Sequence, residues 1–203
     1  MSRVDWDERY RQAGFIYGTS PNDFLVSVVD SLPMGKVLSL AEGEGRNGVY
    51  LASLGYSVTG VDGSATGLEK AVRLAAERGV SFTPIVADLS DFTIMPETWD
   101  GIVSLFCHLP SALRVPLHRR VVGGLKPGGT FILEAFSKEQ LGRDTGGPPS
   151  LDMLMDLDEL MVELKGLDFI HARRVERDVR EGRCHNGPAS VVQLLGVKPL
   201  KQA

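Results

Sequence analysis

Three glycines, two glutamates and two aspartates carry the first chemical signal. In LAEGEGRNG, residues 40–48, Gly43, Gly45 and Gly48 fall at the spacing G-x-G-x-x-G, a turn whose backbone amides commonly cradle a pyrophosphate at a helix N-terminus. Glu42 and Glu44 stand inside that turn. Facing a phosphate at 4 Å, each would cost about 1 kcal/mol in water and several in a cleft of lower dielectric. Either both point to solvent, or the loop receives a ligand with positive charge. S-adenosylmethionine fits the second case, because it carries an ammonium and a sulfonium, lacks phosphate and keeps an adenosine. Asp62, nineteen positions after Gly43, suits the ribose hydroxyls. Asp88, in VADLSDF, suits an adenine amino group.

Two histidines could act as bases. His108 in FCHLP and His185 in RCHNG are both expected at the ligand-binding edge; His108 either acts as a base or packs near the adenosine, and His185 either faces the acceptor as general base or caps its connection. His118 and His171 read as structural. Cys107-His108 and Cys184-His185 are adjacent pairs that lack the usual metal spacing, so no metal is expected. Arg173, Arg174, Arg177, Arg180 and Arg183 read as protection of an edge strand. Arg183, beside His185, is the candidate for holding an anionic substrate.

The elements that must position these groups follow from periodicity. KVLSLA (36–41) reads as a buried strand, a helix over 46–54 ends at Gly55, and YSVTGV (56–61) reads as a second strand. Ser64 caps a helix whose Leu68, Ala71, Val72 and Ala75 share a face, with Gly79 as its stop. Strands at 81–87, 100–106 and 130–136, with a helix over 111–123 and LKPGG as a turn, continue the alternation. This calls for a parallel α/β sheet with helices on both faces. A helix over 156–165 precedes two strands, 167–179 and 189–198, joined by REGRCHNGP. A connection so short makes them antiparallel neighbours. The segment 1–30 holds five of the fourteen aromatic residues, Trp6, Tyr10, Phe15, Tyr17 and Phe24, and reads as either a sheet-edge packing segment or a lid.

Composition bounds the class. The chain has 203 residues, 43% hydrophobic, with a formal net charge of -4, which suits one domain over 1–203 and disfavours a general nucleic-acid partner. With no long apolar stretch, no signal-peptide pattern and only two cysteines, the expectation is a cytoplasmic protein without a membrane partner, monomer favoured.

VLSLAEGEGRNGVYLASLGYSVTGVD resembles motif I of the class I S-adenosylmethionine-dependent methyltransferases. WDERY, YGTSPNDFL, ADLSDF, FCHLP, LKPGGTFILEAF and EGRCHNGPASVV extend the resemblance to the branch related to tellurite-resistance and thiopurine methyltransferases, over almost the whole chain. The resemblance implies a Rossmann-like seven-stranded, mostly parallel sheet in the order 3-2-1-4-5-7-6 with strand seven antiparallel. It places Ala41, Glu42, Gly43, Gly45, Asp62, Gly63, Ser64, Asp88, Leu89, Phe106 and His108 around the cofactor. Arg46 and Asn47 fall close to its methionine carboxylate, and Tyr17 and Asn22 reach it from the N-terminal segment. Many relatives have Asp where this chain has Ser39, so Glu42, Glu44 or backbone carbonyls must serve the methionine amine.

SLFCHLP lacks the Asn/Asp-Pro-Pro-Tyr cluster of methyltransferases acting on nucleic-acid bases. The expected acceptor is therefore a small molecule such as a thiol or chalcogen oxyanion. A nicotinamide-dependent oxidoreductase would use the same glycine spacing, but none of Tyr10, Tyr17, Tyr50 or Tyr56 has a lysine four residues on. A non-catalytic nucleoside sensor is the third reading.

Overall fold

Alternating apolar side chains on the strands build two cores. In β1 (Lys36–Leu40), Val37 enters one and Leu38 and Leu40 the other, as the period of two requires. In β4 (Trp99–Leu105) Ile102 and Val103 divide in the same way, as do Leu133 and Ile132 of β5 (Leu125–Phe136). Phe24 and Leu25 of α2 (Asp23–Val28) and Leu51 of α3 (Arg46–Ser53) cover the Val37 side. Leu117 and Val121 of α5 (Ser111–Gly124), with Leu160 of α6 (Leu157–Glu163), cover the Leu38 side. Helices therefore lie on both faces.

The computed structural model describes residues 5–201. With β2 (Ser57–Asp62), β3 (Thr83–Val86), β6 (Asp168–Glu181) and β7 (His185–Val197), the seven strands form one sheet in the order β3-β2-β1-β4-β5-β7-β6. Pairing is parallel from β3 to β5, and β7 is antiparallel to both β5 and β6. Two expectations need correction. LKPGG belongs to β5, pairing Leu125 with Trp99 before a register shift brings Gly101 opposite Thr130, so the apparent turn is an irregular strand start. The β6–β7 connection shrinks from nine residues to Gly182, Arg183 and Cys184, because pairing continues to Glu181 opposite His185. His185 thus stands on the first residue of a strand, held by its ladder.

Ser64 caps α4 (Ala65–Glu77) by accepting from the Gly67 amide. Asp7 of α1 (Trp6–Tyr10) accepts from the Ser64 hydroxyl and the Thr66 amide at the same helix start. From there the chain crosses the glycine loop towards the β6–β7 hairpin. No helix among the described residues is long and apolar enough to cross a membrane.

Candidate functional site

Two non-glycine residues in the left-handed region mark the carboxyl ends of the central strands, Ala41 after β1 at φ 51° and Phe106 after β4 at φ 55°. Such backbone costs about 1–3 kcal/mol per residue and gathers at ligand sites. Between them lies the glycine loop. Gly43, at φ 60°, gives its amide to Asp62 Oδ2 at 2.8 Å, and a Cβ there would sit 2.7 Å from the Tyr10 hydroxyl oxygen. Gly45, at φ 95°, opens α3 and lets it approach α4 so closely that a Cβ would lie 2.6 Å from Ala71. These two glycines are spent on loop shape and on packing under a tyrosine. Asp62 also accepts the Ser64 amide at 2.8 Å, beside exposed Gly63. Burial raises its carboxyl pKa while the Ser64 and Gly43 amides pull it back.

The two loop glutamates are not presented as expected. Glu42 turns inward, accepting from the Ser39 hydroxyl and from the Gly48 amide at 2.7 Å. Burial pushes its carboxyl up to about 7. Glu44 pairs with Lys70 Nζ at 2.7 Å and takes the Ile16 amide at 2.7 Å. On that side the Gly48 and Ile16 amides and the buried Lys70 ammonium supply their partners.

A buried polar network extends from α3 to the hairpin. Arg46 Nη2 donates to Glu181 Oε2 at 2.7 Å, while its buried Nη1 has no hydrogen-bond partner among the described residues. Asn22 caps α2, gives its backbone N–H to Asn47, and donates Nδ2 to Glu134 at 2.6 Å and Glu181 at 2.8 Å. Arg177 makes a two-pronged contact with Glu134, at 2.6 and 2.9 Å. Burial alone would raise Glu181, yet the His185 hydrogen bond, the Arg46 charge and the Asn22 and Arg46 donors hold it at about 2. Two arginines offset two buried carboxylates, as buried charges require.

Beside this network stands an aromatic group. The His185 ring centroid lies 4.7 Å from Tyr17, 4.7 Å from Phe106 and 4.9 Å from Phe136. His108 stacks on Phe136 at 5.5 Å. Its Nδ1 faces the Met153 carbonyl at 2.9 Å and its Nε2 accepts from the Phe136 amide at 3.4 Å. Burial lowers its pKa to about 4, so His108 is a neutral ring with both nitrogens engaged. The His185 pKa is lowered by burial, against the opposing pull of Glu181.

Residues 37–129 match the model of the family described as methyltransferase domain. That stretch runs from β1 into β5 and contains the glycine loop and Asp62. One curated relative, the 2-heptyl-1-hydroxyquinolin-4(1H)-one methyltransferase of Mycobacteroides abscessus, is 34% identical over 117 residues, 56% of this chain and 52% of that protein. The chain thus matches about half the length of this relative. TehB from Haemophilus influenzae superposes with a TM-score of 0.72 at 19% identity, covering 95% of this chain and 65% of that one. A structure described as conversion of a disulfide bond into a thioacetal group during echinomycin biosynthesis gives 0.77 at 19% identity, over 98% and 92%.

In the folded chain the predicted residues fall into three groups. Ala41, Gly43, Gly45, Arg46, Asn47, Asp62, Gly63 and Ser64 gather around the loop, with Asn22 reaching Asn47. Tyr17, Phe106, His108 and His185 form the aromatic group. Asp88, exposed, and buried Leu89 follow β3, with Asp88 Oδ1 accepting the Ser90 amide at 2.9 Å. Arg183 is a correction: its amide binds the Ile16 carbonyl at 2.8 Å and its guanidinium the Ala13 carbonyl at 3.1 Å, so it clasps the N-terminal segment. His118, read as structural, does have a partner, since its Nδ1 meets Glu163 at 2.6 Å beside Arg114. Sequence reasoning missed Glu134, Glu181 and the inward role of Arg177. The available signal was a lone glutamate inside the apolar run FILEAF, since an unpaired buried charge is not tolerated. A cleft of about 420 Å³ lined by Phe24, His171, Arg177 and Gln193 shares no residue with the glycine loop.

Proposed function

We propose that this protein transfers a methyl group from S-adenosylmethionine to a small-molecule acceptor. The observation that carries this reading is Arg46 Nη1, a buried donor at the start of α3 that finds no partner among the described residues. Leaving such a donor unmatched costs about 1–3 kcal/mol, so the position suits a carboxylate, which the methionine part supplies. Arg46 and Asn47 hold that end, Asp62 the ribose and Asp88 the adenine amino group, with Phe106 and His108 beside the ring. The cofactor contributes a methyl carbon already activated by its sulfonium. The protein aligns the acceptor with that carbon and excludes water. Calorimetry tests this directly: S-adenosylmethionine and S-adenosylhomocysteine should bind, NAD and NADP should not, and tight NAD binding would overturn the reading. Asp62→Ala should weaken binding by roughly 1.5–3 kcal/mol if the carboxylate accepts ribose hydroxyls.

Residues 1 to about 24, of which 1–4 lie outside the described residues, act as a lid in this reading. Lys70 Nζ holds the Gln12 and Gly14 carbonyls at 2.9 and 2.7 Å, Arg9 donates to the Tyr17 hydroxyl at 3.0 Å, and Tyr10 covers Gly43. Hydrogen exchange should slow in this segment when S-adenosylhomocysteine is added. Equal exchange with and without ligand would reduce it to fixed packing.

For the acceptor, thiols and chalcogen oxyanions remain candidate nucleophiles. The rings of Tyr17, Phe106 and Phe136 around His185 favour a planar aromatic compound instead, as does the hydroxyquinolone named for the relative.

A further inference from the structure

Resting on the methyl-transfer reading, we infer that Glu181 is a positioning residue that fixes His185 as the general base for an aromatic hydroxyl acceptor. The geometry sets the roles. His185 Nδ1 lies 3.3 Å from Glu181 Oε2, an ionised oxygen that only accepts. Nδ1 therefore carries the proton, and the lone pair is on Nε2. Among the described residues Nε2 has no hydrogen-bond partner, and it is not among the sealed, unpartnered atoms of the interior. The His185 side chain keeps 11% of its surface exposed, and the rings of Tyr17, Phe106 and Phe136 packed around it give the position apolar surroundings that suit a planar acceptor.

Glu181 is itself immobilised. Oε1 accepts Asn22 Nδ2 at 2.8 Å and Arg177 Nη2 at 3.5 Å, and Oε2 accepts Arg46 Nη2 at 2.7 Å. The Glu181 carboxylate thus ties the base to the arginine assigned to the cofactor carboxylate. The proton of the acceptor hydroxyl passes to Nε2. The oxygen pair it leaves forms the O–C bond, and the pair of the breaking C–S bond stays on sulfur. The resulting imidazolium faces the Glu181 carboxylate, which offsets its charge. The charged or titratable groups around His185 are Glu181 from β6, Arg46 from α3, Arg9 from α1, His108 after β4 and Tyr17 from the lid.

The first readout needs no turnover. Nitrogen NMR of wild-type protein should show neutral His185 with its proton on Nδ1. In Glu181→Gln, the His185 titration should move down by about one unit, since a carboxylate partner favours the charged ring. The acid limb of kcat/KM should move to lower pH by the same amount, because the base acts in its neutral form. kcat should fall about 10²-fold as the ring loses its fixed orientation. The acceptor panel is 2-heptyl-1-hydroxyquinolin-4(1H)-one, simple phenols and alkyl thiols. A proton on Nε2 in the wild type, or an unchanged titration in Glu181→Gln, overturns the assignment, and the wild-type measurement decides if the variant does not fold. Turnover of thiols alone, or of none of the panel, overturns the hydroxyl class. Failure of S-adenosylmethionine to bind in calorimetry would instead sink the methyl-transfer reading, and this inference with it.

Discussion

Truncating Glu134 to alanine should destabilise the protein by about 3–5 kcal/mol, the usual cost of removing one partner from a buried ion pair. The side chain is fully buried on β5 and accepts from Arg177, Asn22 and Gln193. Its loss would leave Arg177, whose side chain is only 16% exposed, with Asp23 at 3.3 Å and Glu181 at 3.5 Å. These residual partners place the expected cost toward the lower end. Urea unfolding should show a lower midpoint at unchanged slope. Replacing both Glu134 and Arg177 by methionine should recover most of the loss, since two apolar groups of similar size need no partners. If the double variant is as unstable as Glu134→Ala, the pair is not what stabilises this region.

Glu42→Gln should stabilise the protein at pH 8 and change little at pH 4. The folded carboxyl is raised by burial from 4.5 to about 7, so between those values the folded state binds more protons than the unfolded state. Stability from this group is complete below pH 4.5 and is lost as pH rises through 7. That shift corresponds to on the order of 3 kcal/mol. Glutamine avoids the ionisation, accepting from the Gly48 amide through its oxygen and donating to Ser39 through its nitrogen. A gain of about 1–3 kcal/mol at pH 8, measured by thermal or urea unfolding, is expected; equal effects at both pH values would show that Glu42 is not desolvated. Glu181 and Glu163 have the opposite sign. Both are held at about 2 by hydrogen bonds and neighbouring charges that outweigh burial. Their contribution is present above pH 4.5 and is lost as pH falls towards 2.

Backbone pattern and local caps were legible in the sequence. Alternation of KVLSLA, YSVTGV and DGIVSLF with helical periodicity dictated the α/β sheet, because strand and helix periods are properties of neighbouring residues. Ser64 as a cap, Asp62 at the end of β2 and the antiparallel hairpin were readable for the same reason. The resemblance supplied the strand order, which the folded sheet matches.

Side-chain destinations were decided only by the tertiary structure. Glu42 and Glu44 read as acids facing a ligand, yet Lys70, 26 positions from Glu44, and the amides of Gly48 and Ile16 claim them. Arg177 read as an exposed edge charge, but β5 and β6 flank β7 and bring it to Glu134, 43 positions away. Glu181 meets Arg46 across 135 positions. Periodicity reports which face a residue occupies and carries nothing about which distant charge will share that face. That choice follows from sheet order and chain crossing, and from the need of each buried charge to find a partner once water is excluded.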